Sequence, residues 1–415
     1  MNQLAEARQS IAPRVGGWGA VFALTLCVAT LIASEFMPVS LLTPIATDLH
    51  LTAGQAGQAI SVSGIFAVLT SLSLSALTAR MDRRTLLLGL TGLMIASGLI
   101  VALAPSFAML IVGRALLGIV IGGFWSMSAA TVMRLVPEDQ VPRALALLNG
   151  GTALATTIGA PLGSYLGQYI GWRGAFAAVA PLAAITLAWL VATLPAMPSR
   201  VRADFAAPFK VLRAPVVACG MAAVALFFMG RFALFTYLRP FLETVTRVDV
   251  STLSLMLLVL GVAGLVGTMP IGRAVKANLY GTLIALPVAM AVVTVGLIAL
   301  GGSTVATAFL LAAWGLLGTA APVGWWTWLS KTLPDDAEAG GGLMVAVIQL
   351  AITLGAGGGG LLFDASGYQA SFAASAVILC ASAVVGLLAA RAARGSARSS
   401  AAGAGAPNQC ASLAA

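Results

Sequence analysis

Residues 18–44 read WGAVFALTLCVATLIASEFMPVSLLTP. The run is apolar on every helical face and exceeds the roughly 20 residues needed to cross a bilayer's hydrocarbon core. It is also longer than the roughly 7–15-residue apolar stretch of a cleaved secretion signal. It therefore reads as a retained first membrane helix, preceded by Arg8 and Arg14. Glu35 interrupts it, an acid well inside an otherwise apolar segment.

The rest of the chain repeats this pattern. Of 415 residues 60% are hydrophobic and 8% charged, against roughly 25% charged in a soluble globular protein. Charges gather at near-regular intervals, separated by apolar stretches of spanning length. Helices are predicted at 18–44, 54–78, 86–104, 107–132, 142–168, 173–195, 216–242, 250–272, 279–300, 304–330, 341–363 and 369–390. The expected fold is thus an all-α integral membrane protein of twelve transmembrane helices in two pseudo-symmetric six-helix bundles. The predicted organisation is a cytoplasmic N-terminus (1–17), an N-terminal bundle (18–195), a polar cytoplasmic linker (196–215), a C-terminal bundle (216–390) and a tail (391–415). The tail is expected to be disordered because Ala, Gly and Ser dominate it after Arg398.

The charge pattern predicts orientation. With the N-terminus in the cytoplasm, Arg80, Arg83, Arg84, Arg134, Arg143, Arg200, Arg202, Lys210, Arg213, Arg273, Lys276 and Lys331 fall on the cytoplasmic side, and Arg173 and Arg247 on the outer side. That bias places both termini inside, and the chain is expected in a cytoplasmic membrane. The net charge of +9 has the same topogenic origin, and no soluble basic domain is present to bind nucleic acid.

The composition also limits the chemistry. There is one histidine, His50, and the four cysteines Cys27, Cys219, Cys380 and Cys410 show no CxxC or Cys/His spacing. Neither a disulfide framework nor a metal site is indicated, and no paired-carboxylate or histidine constellation suggests an enzyme. The glycines 355 and 357–360 lack the strand, Lys and Ser/Thr of a phosphate loop. They read as close helix packing. No cofactor is expected, which leaves an ion gradient as the energy source.

An ionised carboxylate in hydrocarbon is costly, so intramembrane acids are generally functional. Glu35 is predicted to carry a proton whose binding depends on exposure. Arg114, at similar depth on the fourth helix, is its expected partner or, alternatively, the anchor of a helix bend. Arg231 lies as deep in the seventh helix as Glu35 does in the first, so a duplicated fold sets them on opposite sides of a central cavity.

The run Gly113-Arg114-Ala115-Leu116-Leu117-Gly118-Ile119-Val120-Ile121-Gly122-Gly123 resembles the fourth-helix motif of the major facilitator superfamily. Thr78-Ala79-Arg80-Met81-Asp82-Arg83-Arg84 resembles its loop motif, although Ala79 and Asp82 replace a usual acid and a usual glycine. Gly151 with Gly159-Ala160-Pro161-Leu162-Gly163 resembles its antiporter signature. By this resemblance Arg80, Asp82, Arg83, Arg84, Gly159, Pro161 and Gly163 serve conformational change. Arg83 and Arg84 alone also fit a topology signal or lipid contact.

A closer resemblance lies in Glu35-Phe36-Met37-Pro38, Gly122–Ala129, Met133–Pro137 and Pro322-Val323-Gly324-Trp325. These are similar to bacterial purine ribonucleoside efflux pumps of the drug:proton antiporter branch. The resemblance implies export of inosine- or guanosine-like solutes driven by inward proton flow, and the chain is expected to function as a monomer. Sugar or multidrug efflux on the same scaffold is the alternative. For a planar ligand, Phe124, Trp125 and Trp325 are the candidate stacking faces, with Trp325 and Trp328 alternatively in an interfacial aromatic belt. Asn149, Gln349 and Arg231 are candidates for the ribose or base edge, Asn149 and Gln349 being equally suited to helix packing.

Overall fold

A computed structural model describes residues 17–77, 81–198, 210–333 and 337–404. The helices are α1 (Gly17–Asp48), α2 (Ala53–Leu77), α3 (Arg83–Ala102), α4 (Phe107–Leu135), α5 (Val141–Ala177), α6 (Val179–Thr193), α7 (Pro215–Phe235), α8 (Leu238–Phe241), α9 (Val250–Ala277), α10 (Leu279–Leu300), α11 (Thr304–Thr332) and α12 (Ala337–Ala404).

Two apolar segments, Glu138–Thr193 and Gly340–Gly395, each run 56 residues. At about 1.5 Å per residue each is more than twice the roughly 30 Å of a hydrocarbon core. Each therefore crosses twice. The break falls in both at a left-handed glycine, Gly171 (φ 70°) and Gly367 (φ 77°), where a side chain would strain the backbone. Eight further apolar segments are each the length of one crossing, so the described chain crosses twelve times, as expected.

The two glycines lie 196 residues apart. The same interval separates Asp82, which caps α3 by accepting from the Arg84 N–H at 2.7 Å, from Asn278, which caps α10 through the Gly281 N–H at 2.9 Å. It also separates Glu35 from Arg231. The duplication is thus written in turns and caps, where backbone geometry restricts residue choice.

Each half has its own apolar core. In the first, Leu24, Leu31, Leu90, Leu117 and Phe124 are buried together. In the second, Phe227, Leu257, Trp314, Trp325 and Trp328 are. A third cluster at the Asp48 end joins Leu41, Trp172 and Phe176 to Tyr237 of the other half.

Within the first half, α5 lies against α1. A Cβ on Gly151 would meet Thr25, on Gly159 Ala33, on Gly163 Ser40 and Met37, and on Gly167 Leu41. Small residues are what allow two helix backbones to approach this closely in a membrane. Pro161 is buried in the same stretch.

Of the tail expected to be disordered after Arg398, the part to Ala404 continues α12, and residues 405–415 lie outside the described residues. Alanine is the best helix former, and no proline interrupts the run before Pro407. The linker residues 199–209 and the loop residue Arg80 lie outside the described residues.

Candidate functional site

The site is built around two prolines in α1, Pro38 and Pro44. A proline has no N–H, so the carbonyl four residues earlier loses its helical donor. For Pro38 that carbonyl belongs to Ser34, and for Pro44 to Ser40. Each is taken by a buried arginine. Arg114 Nη1 donates to the Ser34 carbonyl at 2.9 Å, and Arg239 Nη1, from the other half, donates to the Ser40 carbonyl.

Arg114 is 1% exposed and uses the rest of its fork on the neighbouring backbone. Nη2 donates to the Glu35 carbonyl at 3.0 Å and to Ser63 Oγ at 3.1 Å, and Nε donates to the Ala59 carbonyl at 3.0 Å. The expected ion pair between Arg114 and the Glu35 carboxylate is therefore absent. Arg114 meets residue 35 through its peptide oxygen, beside the Ser34 carbonyl that Pro38 leaves without a helical donor.

The Glu35 carboxyl turns toward the second half. It is 4% exposed, and its Oε1 accepts from Gln349 Nε2 on α12 at 3.3 Å. The other polar atom of that amide, Gln349 Oε1, is buried with no hydrogen-bond partner, as is Arg231 Nε. Arg231 is part-buried, and its Cζ stands 5.8 Å from the Phe232 ring centroid. A Cβ on Gly318 of α11 would lie 3.2 Å from Arg231 Nε. Phe36, next to Glu35, stacks on Phe232 with ring centroids 5.7 Å apart and meets Phe235 edge-on. One acid and one amide thus meet where the halves face each other beside the Phe36–Phe232 pair, and the Arg231 guanidinium lies on the Phe232 ring within the second half.

From this level to the Asp48 end the halves are tied together. Ser61 Oγ donates to the Thr353 carbonyl at 3.0 Å, and Thr353 Oγ1 to the Ser61 carbonyl at 3.2 Å. Thr157 Oγ1 donates to the Gly261 carbonyl at 3.2 Å, and Ser254 Oγ to Ser164 Oγ at 2.9 Å. At the rim, Asp364 accepts from Thr52 Oγ1 at 2.6 Å and from the Gly54 N–H at 2.9 Å.

Other expected site residues lie elsewhere. Phe124 is 1% exposed inside the first core, and Trp125 packs on the same cluster. Trp325 is 3% and Trp328 0% exposed. They form an edge-to-face pair, centroids 5.9 Å apart, within the second core. Three-residue spacing does put both on one face of α11, but that face is turned into its own bundle. Trp328 Nε1 donates to Tyr280 Oη at 3.3 Å, and its ring occupies the space where Gly220 lacks a side chain. Neither the stacking role nor the interfacial belt fits. Asn149 is exposed on α5 and donates to the Leu145 carbonyl of its own helix at 3.0 Å. Asp82 serves as the cap of α3 described above. Arg83 donates its backbone N–H to the Met197 carbonyl at 3.0 Å, and Arg84 Nη2 reaches the Val191 carbonyl at 2.8 Å.

Sequence reasoning missed Phe36, Phe232, Ser61, Thr353 and Arg239. Arg239 is 5% exposed and also pairs with Glu243 at 2.7 Å. Its signal was available: a cation inside an apolar stretch, in a chain where Pro44 leaves a carbonyl open at similar depth.

Two six-helix halves around a polar centre, with twelve crossings and a tie at one end, define a polytopic membrane transporter fold. The family model of the Major Facilitator Superfamily matches residues 23–341, and the chain belongs to that superfamily, whose members are transporters rather than enzymes. It is 56% identical over 380 residues to transcription regulatory protein OpdE of Pseudomonas aeruginosa, covering 91% of this chain and 94% of the relative. It is 41% identical over 368 residues to purine ribonucleoside efflux pump NepI of Salmonella enteritidis, covering 89% and 93%. Among solved structures, a bacterial homolog to the human lysosomal transporter Spinster, inward-facing and unoccupied, shares the fold. The TM-score is 0.74 at 16% identity over 92% of this chain and 98% of that one. A D-xylose–proton symporter gives 0.74 at 15% identity, over 89% and 97%.

Proposed function

We propose that this chain is a proton-coupled antiporter that exports purine ribonucleosides from the cytoplasm by alternating access, working as a monomer in the bacterial inner membrane. The observation that carries the reading is the contact between Glu35 Oε1 and Gln349 Nε2 at 3.3 Å. It makes the one deeply placed acid of α1 a bridge between the two halves. A carboxyl in that position cannot hold its charge without water or a partner. Its protonation therefore depends on which way the halves open, which is what coupling requires.

The solute reading rests on the centre of the bundle and on the relatives. Arg231 offers only donors, Gln349 Oε1 is an open acceptor, and Phe36 and Phe232 supply aromatic faces. A nucleoside has a flat ring and hydrogen-bonding edges that fit such a set. The 41% identity to a purine ribonucleoside efflux pump over 89% of the chain supports the same class. The charge bias of the loops makes the Asp48 end the outer one, so the bundle is tied shut toward the outside and poised to take solute from the cytoplasm. The name of the Pseudomonas relative does not move this reading. The described residues form membrane helices and their connections, with no separate basic domain among them.

The test is uptake of labelled inosine and guanosine into inside-out proteoliposomes with an imposed pH gradient. Accumulation should collapse when the gradient is dissipated. Uphill uptake of arabinose or a cationic dye without inosine would replace the solute class while leaving the antiporter reading in place.

A further inference from the structure

The tie at the Asp48 end contains one contact unlike the others. Thr157, Thr353 and Ser254 reach across with hydroxyls that also bond carbonyls of their own helices. Arg239 instead brings a buried guanidinium from α8 to the Ser40 carbonyl of α1. Pro44 removes the N–H that would otherwise satisfy that oxygen.

The surroundings fit a seat that closes and reopens. Arg239 is preoriented by Glu243, one turn later, at 2.7 Å. Two residues earlier, Tyr237 fills a socket made by Gly57 of the first half and Gly360 of the second, where a Cβ on either would strike its ring or hydroxyl. Its Oη donates to the Ala356 carbonyl at 2.7 Å. Tyr237 and Arg239 together form a plug carried by the second half and seated on α1 and α2. When the end opens, water can take the place of the guanidinium on the Ser40 oxygen. When it closes, water leaves, and a buried carbonyl without a donor is costly unless Arg239 returns.

We propose that Arg239 is the closing residue of the Asp48 end: it holds the halves together through the Ser40 carbonyl that Pro44 leaves open, and yields that carbonyl to water each time the end opens. The proposal rests on the alternating-access reading but not on which solute is carried.

The experiment places nitroxide labels at His50 and Gln369, exposed positions of opposite halves at this end, in a chain whose native cysteines are replaced by serine. Distances are measured without solute, so that an error in the solute class leaves the result unaffected. Arg239→Gln should shift the distribution toward longer distances, raising the open population about threefold or more, as the loss of a buried hydrogen bond implies. In a Pro44→Ala background the restored backbone N–H at position 44 returns to the Ser40 carbonyl, and the same substitution should shift the distribution much less. No shift from Arg239→Gln, or an equal shift in both backgrounds, overturns the proposal. Should Arg239→Gln fail to accumulate in the membrane, Pro44→Ala alone decides. Its new N–H competes with Arg239 and should lengthen the distances, and an unchanged distribution overturns the proposal.

Discussion

Arg114 is bound to the backbone of α1 at the oxygen that Pro38 exposes: its Nη1 lies 2.9 Å from the carbonyl of Ser34, four residues before the proline. The arginine holds open the helix turn that carries Glu35, and so positions the carboxyl without pairing with it.

Arg114→Ala should therefore act first on stability. It strands the carbonyl of Ser34, which Pro38 leaves without a helical donor, in a dry interior, at roughly 1–3 kcal/mol for a buried group left unsatisfied. Thermal unfolding in detergent should show the loss, and Pro38→Ala in the same chain should recover part of it by returning a donor to Ser34. If Arg114→Ala is as stable as the unmutated chain, the capping account is wrong. Arg114→Lys keeps the charge but loses the planar fork and should fall between.

Glu35→Gln removes the titratable group and retains hydrogen-bonding capacity toward Gln349. Uphill, pH-driven export should be lost while solute exchange across the membrane persists. Full accumulation by this variant would show that the coupling proton binds elsewhere.

For Trp325→Ala the structure predicts a packing defect in place of lost stacking. The side chain is 3% exposed within the second core, where deleting a large aromatic costs about 3–5 kcal/mol. Stability should fall, and the surviving protein should bind inosine and arabinose with unchanged relative affinity. Phe36→Ala, by contrast, should weaken inosine selectively, by about 1–3 kcal/mol for a lost stacking face. Competition binding with both ligands on both variants separates the two roles.

Gly261→Val would place a side chain against the Thr157 backbone across the interface. The two halves could then no longer close at the Asp48 end without displacing α5. Label distances at that end should lengthen, with export impaired and the fold retained. A distribution matching that of the unmutated chain would show that the contact is dispensable for closure.

Membrane class, helix number and the twofold repeat were legible from the sequence because they depend on local quantities. Apolar length fixes a crossing, as in residues 18–44, and the polar stretch 196–215 divides two sets of six such segments. Glu35 could be singled out for the same reason, since an acid in an apolar segment is conspicuous without knowledge of its neighbours. Which groups meet it was decided only by the tertiary structure. A helix periodicity puts Trp325 and Trp328 on one face but does not say whether that face lines the cavity or fills its own bundle. Depth along a helix brought Arg114 near residue 35 but not the choice between carboxylate and carbonyl. That choice follows from the donors Pro38 removes and from the rotation of α1, which turns the Glu35 side chain across to Gln349 of the other half. Helix rotation and the pairing of two bundles depend on contacts between residues hundreds of positions apart, as Glu35 with Gln349 and Ser40 with Arg239, and no local pattern encodes them.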